Sequence, residues 1–167
     1  FKLTAAHLQP VLDTLVYLKR ETDVWLEITT LLIPGKNDSD EELTALTQWV
    51  ARELGSDVPL HFSAFHPAHR MLDTPPTPPA TLQRAHTIAL KAGLNFVYLG
   101  NVHDPDGDTT FCPTCHESLI VRDWYQIERR SLAQGGHCPG CGAAIAGRFE
   151  GAVGNFGRRR IPLSLGR

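Results

Sequence analysis

The amino-acid sequence predicts an α/β fold: three βα units around a parallel sheet, followed by a small metal-binding lobe. Three observations carry this expectation. Helical and strand periodicities alternate three times over the first hundred residues. All four cysteines fall in two C-x-x-C pairs near the end of the chain. The charge changes sign along the way: residues 1–107 hold 8 Lys/Arg against 13 Asp/Glu, whereas 108–167 hold 8 Arg against 5 Asp/Glu. The chain therefore divides into an α/β segment at 1–107, a four-cysteine ribbon at 108–147 and an irregular basic tail at 148–167.

The first helix follows from Leu8, Val11, Leu12, Leu15 and Leu18 at helical spacing, with Pro10 tolerable in a first turn. Val24–Ile33 is apolar and β-branched and stops at Pro34-Gly35, which reads as a strand with a hard terminator. Ser39 and Glu42 form a capping box for the second helix. Its buried stripe is Leu43, Leu46, Val50 and Leu54, and Gly55 suits a left-handed cap. Pro59–Phe65 is the second strand. The proline-rich stretch 73–79 reads as an extended surface crossing. Thr77 is the expected cap of a third helix with Pro78 at its first position, Leu82, Ala85, Ala89 and Ala92 facing inward, and Gly93 ending it. Phe96–Leu99 is the third strand. Leu119–Val121 and Trp124–Ile127 suit a small hairpin.

Composition narrows the functional classes. With 42% hydrophobic and 20% charged residues, the chain suits a globular protein and not a disordered one. No apolar run approaches the ~20 residues that cross a bilayer, so no membrane partner is expected. Phe1 opens the chain and Met71 is its only methionine, which leads us to expect a piece of a longer protein. Three strands cannot close a barrel and should leave open edges, which points the same way and predicts self-association or pairing.

The metal constellation is the strongest motif. Cys112-Pro-Thr-Cys115 and Cys138-Pro-Gly-Cys141 stand 22 residues apart. Two thiolates on one tight turn bind an ion side by side, and a second turn completes a tetrahedron. Four thiolates leave no open position, so the site is expected to be structural. Zinc is favoured, and iron in a rubredoxin-like site uses similar turns. Disulfides are the alternative in an oxidising compartment; this spacing argues for metal and for the cytoplasm. His116 and His137 flank the turns, either as outer groups or as exposed neighbours.

Alternation along the strands places Glu27 with Thr29, His61 with Ser63, and Tyr98 on one face, if helices cover Ile28, Phe62, Val97 and Leu99. The strands end in Pro34–Asp38, His66-Pro67 and Gly100–His103, and parallel sheets bind ligands at such carboxyl ends. His61 is a ligand contact or a satisfied core histidine, and Glu27 is salt-bridged or functional. Asn37-Asp38 is most simply a turn. His7, His69 and His86 are expected at the surface.

Four stretches, VWLEITTLLIPGKNDSDEEL, VPLHFSAFHPAHRMLDTPPTPPATL, FVYLGNV and FCPTC…HCPGCG, occur in this order. Together they resemble the pyruvate formate-lyase activating enzyme-like radical SAM proteins of the AmmeMemoRadiSam system, over about residues 12–160. The resemblance implies the C-terminal half of a partial (β/α) barrel followed by a zinc ribbon. It also implies that a [4Fe–4S] cluster in the complete enzyme cleaves S-adenosylmethionine (SAM) reductively, and that the resulting radical abstracts hydrogen from a substrate. By position, Thr29, Ile33, Pro34, His61, Phe65 and His66 would face the cofactor. The cluster-binding C-x-x-x-C-x-x-C loop is not in this chain. The chain is thus expected to be catalytically silent alone, with no catalytic residue of its own. SAM and the cluster are expected only once the barrel half that carries the loop is present. A protein substrate is suggested by analogy alone. The alternative is a binding module in which the ribbon and Arg158–Arg160 meet protein or nucleic acid. Nucleic acid is not expected, because the ribbon lacks interleaved basic and aromatic residues, and Arg158–Arg160 are most simply a solvated tail.

Overall fold

The computed structural model describes residues 6–124 and 126–149. Elements α1 (Leu8–Glu21), β1 (Ile28–Leu32), α2 (Asp40–Glu53), β2 (Leu60–Ala64), α3 (Pro79–Lys91) and β3 (Val97–Gly100) alternate along the chain. The strands form a parallel sheet in the order β1-β2-β3, in register Ile28↔Leu60↔Val97 and Thr29↔His61↔Tyr98. Then β4 (Thr110–Phe111), β5 (Ser118–Asp123) and β6 (Gln126–Arg130) make a second, antiparallel sheet. The expected hairpin is β5–β6, turning at Trp124 with φ +54°. The two-residue β4 has no periodicity to betray it.

The main core lies on the helix side of the parallel sheet. Leu32, Leu60, Phe62, Ala64, Val97 and Leu99 meet Leu43, Val50 and Leu54 around α2 and Leu82, Ala85 and Ala89 of α3, all fully or nearly fully buried. Helices thus cover the apolar strand face as the alternation requires. Ser39 caps α2 by accepting from the Glu42 N–H at 3.2 Å. Gly55 follows the helix at φ +93° and its N–H reaches the Val50 carbonyl.

Four expectations change. The first strand begins at Ile28, not Val24, because pairing with β2 starts there; Val24 is 60% exposed. The α1 stripe is only half used: Leu15 and Val16 lean on the core, while Leu8 and Val11 are exposed. Pro78 is the N-cap of α3 and Pro79 its first residue, which releases Thr77 for another task. Thr77 is buried within the proline-rich crossing; its Oγ1 donates to the Leu32 carbonyl at 2.6 Å and accepts from the Phe65 N–H at 2.8 Å, tying together the ends of β1 and β2. His86, expected at the surface, is half-buried, and that burial lowers its pKa although Asp104 and Asp106 oppose the shift.

The sheet edges differ from each other. Leu99 N–H on β3 donates to the Gly107 carbonyl at 3.0 Å, so the returning chain covers that edge. Gly107 is required there, since a Cβ would fall within 2.7 Å of Leu99 Cγ. Among the described residues no strand pairs with the far edge of β1. No described helix is long and apolar enough to cross a membrane. The tail from residue 150 on, with Arg158–Arg160, lies outside the described residues.

Candidate metal centre and the cavity beside it

The two C-x-x-C turns are built alike. In the first, His116 N–H donates to the Cys112 carbonyl at 2.9 Å and Cys112 N–H to the Glu117 carbonyl at 2.8 Å. In the second, Gly142 N–H donates to the Cys138 carbonyl and Cys138 N–H to the Ala143 carbonyl, each at 2.9 Å. Each turn closes with a left-handed residue directly after its second cysteine, His116 at φ +60° and Gly142 at φ +76°. His116 thus serves the turn and is exposed. His137 is also exposed, its ring 3.2 Å from the Gln134 carbonyl. The Glu117 carboxylate lies against Gly140 and would swing aside for a side chain there.

The turns bring all four sulfurs within 4.8 Å of one another. Cys112 Sγ lies 3.6 Å from Cys141 Sγ, and Cys115 Sγ lies 3.6 Å from Cys138 Sγ. A disulfide needs about 2.05 Å. A tetrahedron with metal–sulfur bonds of ~2.3 Å has edges of about 3.8 Å. The four cysteines therefore form a group that could hold one metal ion such as zinc or iron. Electrostatics fit a cation as well. Burial pushes the Cys112 thiol up, but the N–H groups of Cys115 and Thr114 and the neighbouring thiols outweigh it and bring it down to about 6. Cys115 goes the other way: the Glu117 N–H lowers it, yet burial and the other three thiols push it up to about 12. The group thus holds its protons unevenly, Cys112 lowered and Cys115 and Cys141 raised, and a bound cation would replace protons there.

Behind the metal group lies a small apolar cluster in which Cys112 and Cys138 pack with Leu119, Ile120, Ile145 and, from the parallel sheet, Phe96. Phe96 has the same strand parity as Tyr98. The ribbon thus sits on the sheet face opposite the helices, the polar face read from the alternation.

A cavity of about 760 Å³ remains between ribbon and sheet. Small-molecule sites span roughly 300–1,000 Å³. On its floor, Glu27 Oε2 lies 3.0 Å from His61 Nε2, and the Trp25 indole donates to Glu27 Oε1 at 2.8 Å. His61 stacks obliquely on Tyr98 with ring centres 5.0 Å apart. Tyr98 Oη and Thr110 Oγ1 share a 2.8 Å hydrogen bond, and the Arg122 guanidinium donates to that same Oγ1 at 2.9 Å. Burial raises the Tyr98 pKa, with Thr110 and Arg122 partly offsetting it. Burial likewise raises Asp108 at the cavity wall.

The residues singled out from sequence fall into two groups. His61 faces the cavity, and Thr29 sits beside it in register on β1, exposed. Ile33 and Pro34 directly follow β1, and Phe65 and His66 directly follow β2. Because Leu32 pairs with Ala64, these two pairs emerge side by side at the carboxyl end of the sheet. Phe65 is buried and its N–H is taken by Thr77, whereas His66 is exposed. Asn37 serves the turn: its Oδ1 accepts from the Ile33 N–H at 2.8 Å and its amide donates to the Leu31 carbonyl. Glu27 proves to be paired, with His61. Thr110, Arg122 and Trp25 were missed as cavity residues, since nothing local in the sequence links them to a strand face.

No protein-family model matches the chain. It is similar to an uncharacterized protein of Methanocaldococcus jannaschii, with 39% identity over 145 residues. That stretch is 86% of this chain and 43% of the archaeal protein, so the chain spans about two-fifths of the length of this relative.

Proposed function

We propose that this chain is the C-terminal portion of a radical SAM enzyme, contributing part of the cofactor-facing wall and a structural zinc ribbon. The observation that carries the reading is the meeting of the two motif ends, Ile33-Pro34 and Phe65-His66, on adjacent parallel strands joined by the Thr77 bridge. Carboxyl ends of parallel strands are where such sheets bind nucleotide-like ligands. The polar face opposite the helices suits a barrel interior, and the unpaired edge of β1 suits continuation into further strands. The relative in Methanocaldococcus jannaschii, more than half of which lies outside the match, supports a longer whole.

When bound, the cluster and SAM supply the radical chemistry. This chain supplies Thr29, Ile33, Pro34, His61 and His66 along the cofactor wall and encloses the space over His61. Zinc is preferred to iron because a closed four-thiolate site with no access for substrate has a structural task, which zinc performs without redox change. Unoxidised cysteines in that role suit a reducing, cytoplasmic setting. The binding-module alternative is weaker because the ribbon lacks interleaved basic and aromatic residues and its Arg122 is engaged with Thr110 and the Asp108 carbonyl.

The test is anaerobic reconstitution of the full-length protein. The expected result is about one four-iron cluster besides one zinc, and formation of 5′-deoxyadenosine from SAM. A full-length protein that lacks a C-x-x-x-C-x-x-C loop, or that holds no iron after reconstitution, would sink the reading. Production of 5′-deoxyadenosine by residues 1–167 alone would overturn their assignment as a silent portion.

A further inference from the structure

The ribbon is fastened to the parallel sheet on both sides of the cavity. On the β3 side, Arg122 donates to the Asp108 carbonyl at 3.1 Å and to Thr110 Oγ1, its guanidinium carbon 5.5 Å from the centre of the Tyr98 ring. Tyr98 in turn bonds Thr110. On the β1 side, Arg148 donates to the Asp23 carbonyl at 2.7 Å, two residues before Trp25. The His61–Glu27 pair lies on the floor between these two fastenings.

Both fastenings spring from segments held by the metal group. Thr110 stands two residues before Cys112, and Arg122 is on β5, which pairs with β4. The stretch leading to Arg148 is held by the Ile145 N–H to the Gly136 carbonyl at 2.9 Å and by the bridge between His137 and Ala144, on either side of Cys138 and Cys141. The lobe has little else to fold on: Leu119, Ile120 and Ile145 are its only buried aliphatic side chains among the described residues. Lobes this small are held by their metal.

We propose that the metal at the four cysteines sets the roof of the sheet–ribbon cavity, so that access to His61 depends on metal occupancy. Thr110 and Arg122 are the positioning residues that transmit it. The coupling is internal to this chain and independent of radical chemistry, since its test measures no SAM cleavage.

The experiment is diethyl pyrocarbonate labelling of the full-length protein, zinc-loaded and chelator-treated, with tandem mass spectrometry reading His61 against exposed His69 as internal standard. The His61 side chain is 31% exposed. Complete uncovering thus raises its exposed area about threefold, and labelling should rise by a similar factor. We expect chelation to approach that factor and restored zinc to reverse the rise. In zinc-loaded protein, Thr110→Val with Arg122→Met should raise His61 labelling about twofold while zinc content and amide exchange in α2 and α3 stay unchanged. Constant His61 labelling on chelation overturns the proposal, whether or not the ribbon amides lose protection. A rise on chelation with none in the zinc-loaded double variant removes Thr110 and Arg122 from the positioning role.

Discussion

Replacing Cys112 with serine tests the metal centre most sharply. Cys112 is fully buried and belongs both to the sulfur group and to the apolar cluster beneath it. Structural zinc sites contribute ~10–16 kcal/mol, so one thiolate of four accounts for about 2.5–4 kcal/mol. At about 1.4 kcal/mol per decade, Cys112→Ser should weaken zinc binding roughly 10²- to 10³-fold. The full effect is expected because the folded ribbon's 3.6 Å sulfur separations lie close to a tetrahedral edge, so little strain is released by losing a ligand. Competition against a chromophoric chelator reads the affinity, and amide exchange over residues 108–149 reads the fold. Cys115→Ser, at an exposed ligand, should lose comparable affinity while leaving the apolar cluster intact. Retention of zinc by Cys112→Ser within tenfold of the parent affinity would refute the reasoning. So would full amide protection in the metal-free ribbon.

Three further outcomes are expected. Thr77→Val leaves the Leu32 carbonyl and the Phe65 N–H without their buried partner, which should cost about 2–4 kcal/mol in urea unfolding; a loss below ~0.5 kcal/mol would dismiss the bridge as a stabilising element. Gly107→Ala drives a methyl into Leu99 in the main core and should cost about 1–3 kcal/mol, read as a lowered Tm. His86 has a folded pKa below its ordinary 6.5, so the unfolded chain binds the proton more tightly. Its contribution is therefore present above about pH 6.5 and is lost as pH falls through the lower folded value. His86→Gln should flatten that part of the stability–pH profile, and an unchanged slope would show that His86 does not carry it.

Much of the fold was legible because its signals are local. Ser39 with Glu42, Gly55 and Gly93 punctuate the helices by backbone chemistry that needs no distant partner. Strand alternation predicted the polar face carrying Thr29, His61 and Tyr98, since a two-residue period fixes sidedness once one face is buried. The two C-x-x-C pairs announced a metal group because each pair closes its own turn.

What stayed hidden depends on contacts between residues far apart in the chain. Thr77 looks like a helix cap, and only the convergence of β1 and β2 turns it into a bridge to Leu32, 45 residues away. The α1 spacing marks a helix, yet only tertiary packing decides that Leu15 and Val16 lean on the core while Leu8 and Val11 stay exposed. Arg122 looks like one more solvated arginine until the ribbon folds back over β3 and sets it against Tyr98 and Thr110. Sequence alone determined the helices and the main strands, their sidedness and the paired cysteines, all set by backbone preference and short spacing. Tertiary structure alone decided that the ribbon roofs the polar face and that His61, paired with Glu27, lines the cavity beneath it, because that placement comes from packing two sheets together, which no local pattern encodes.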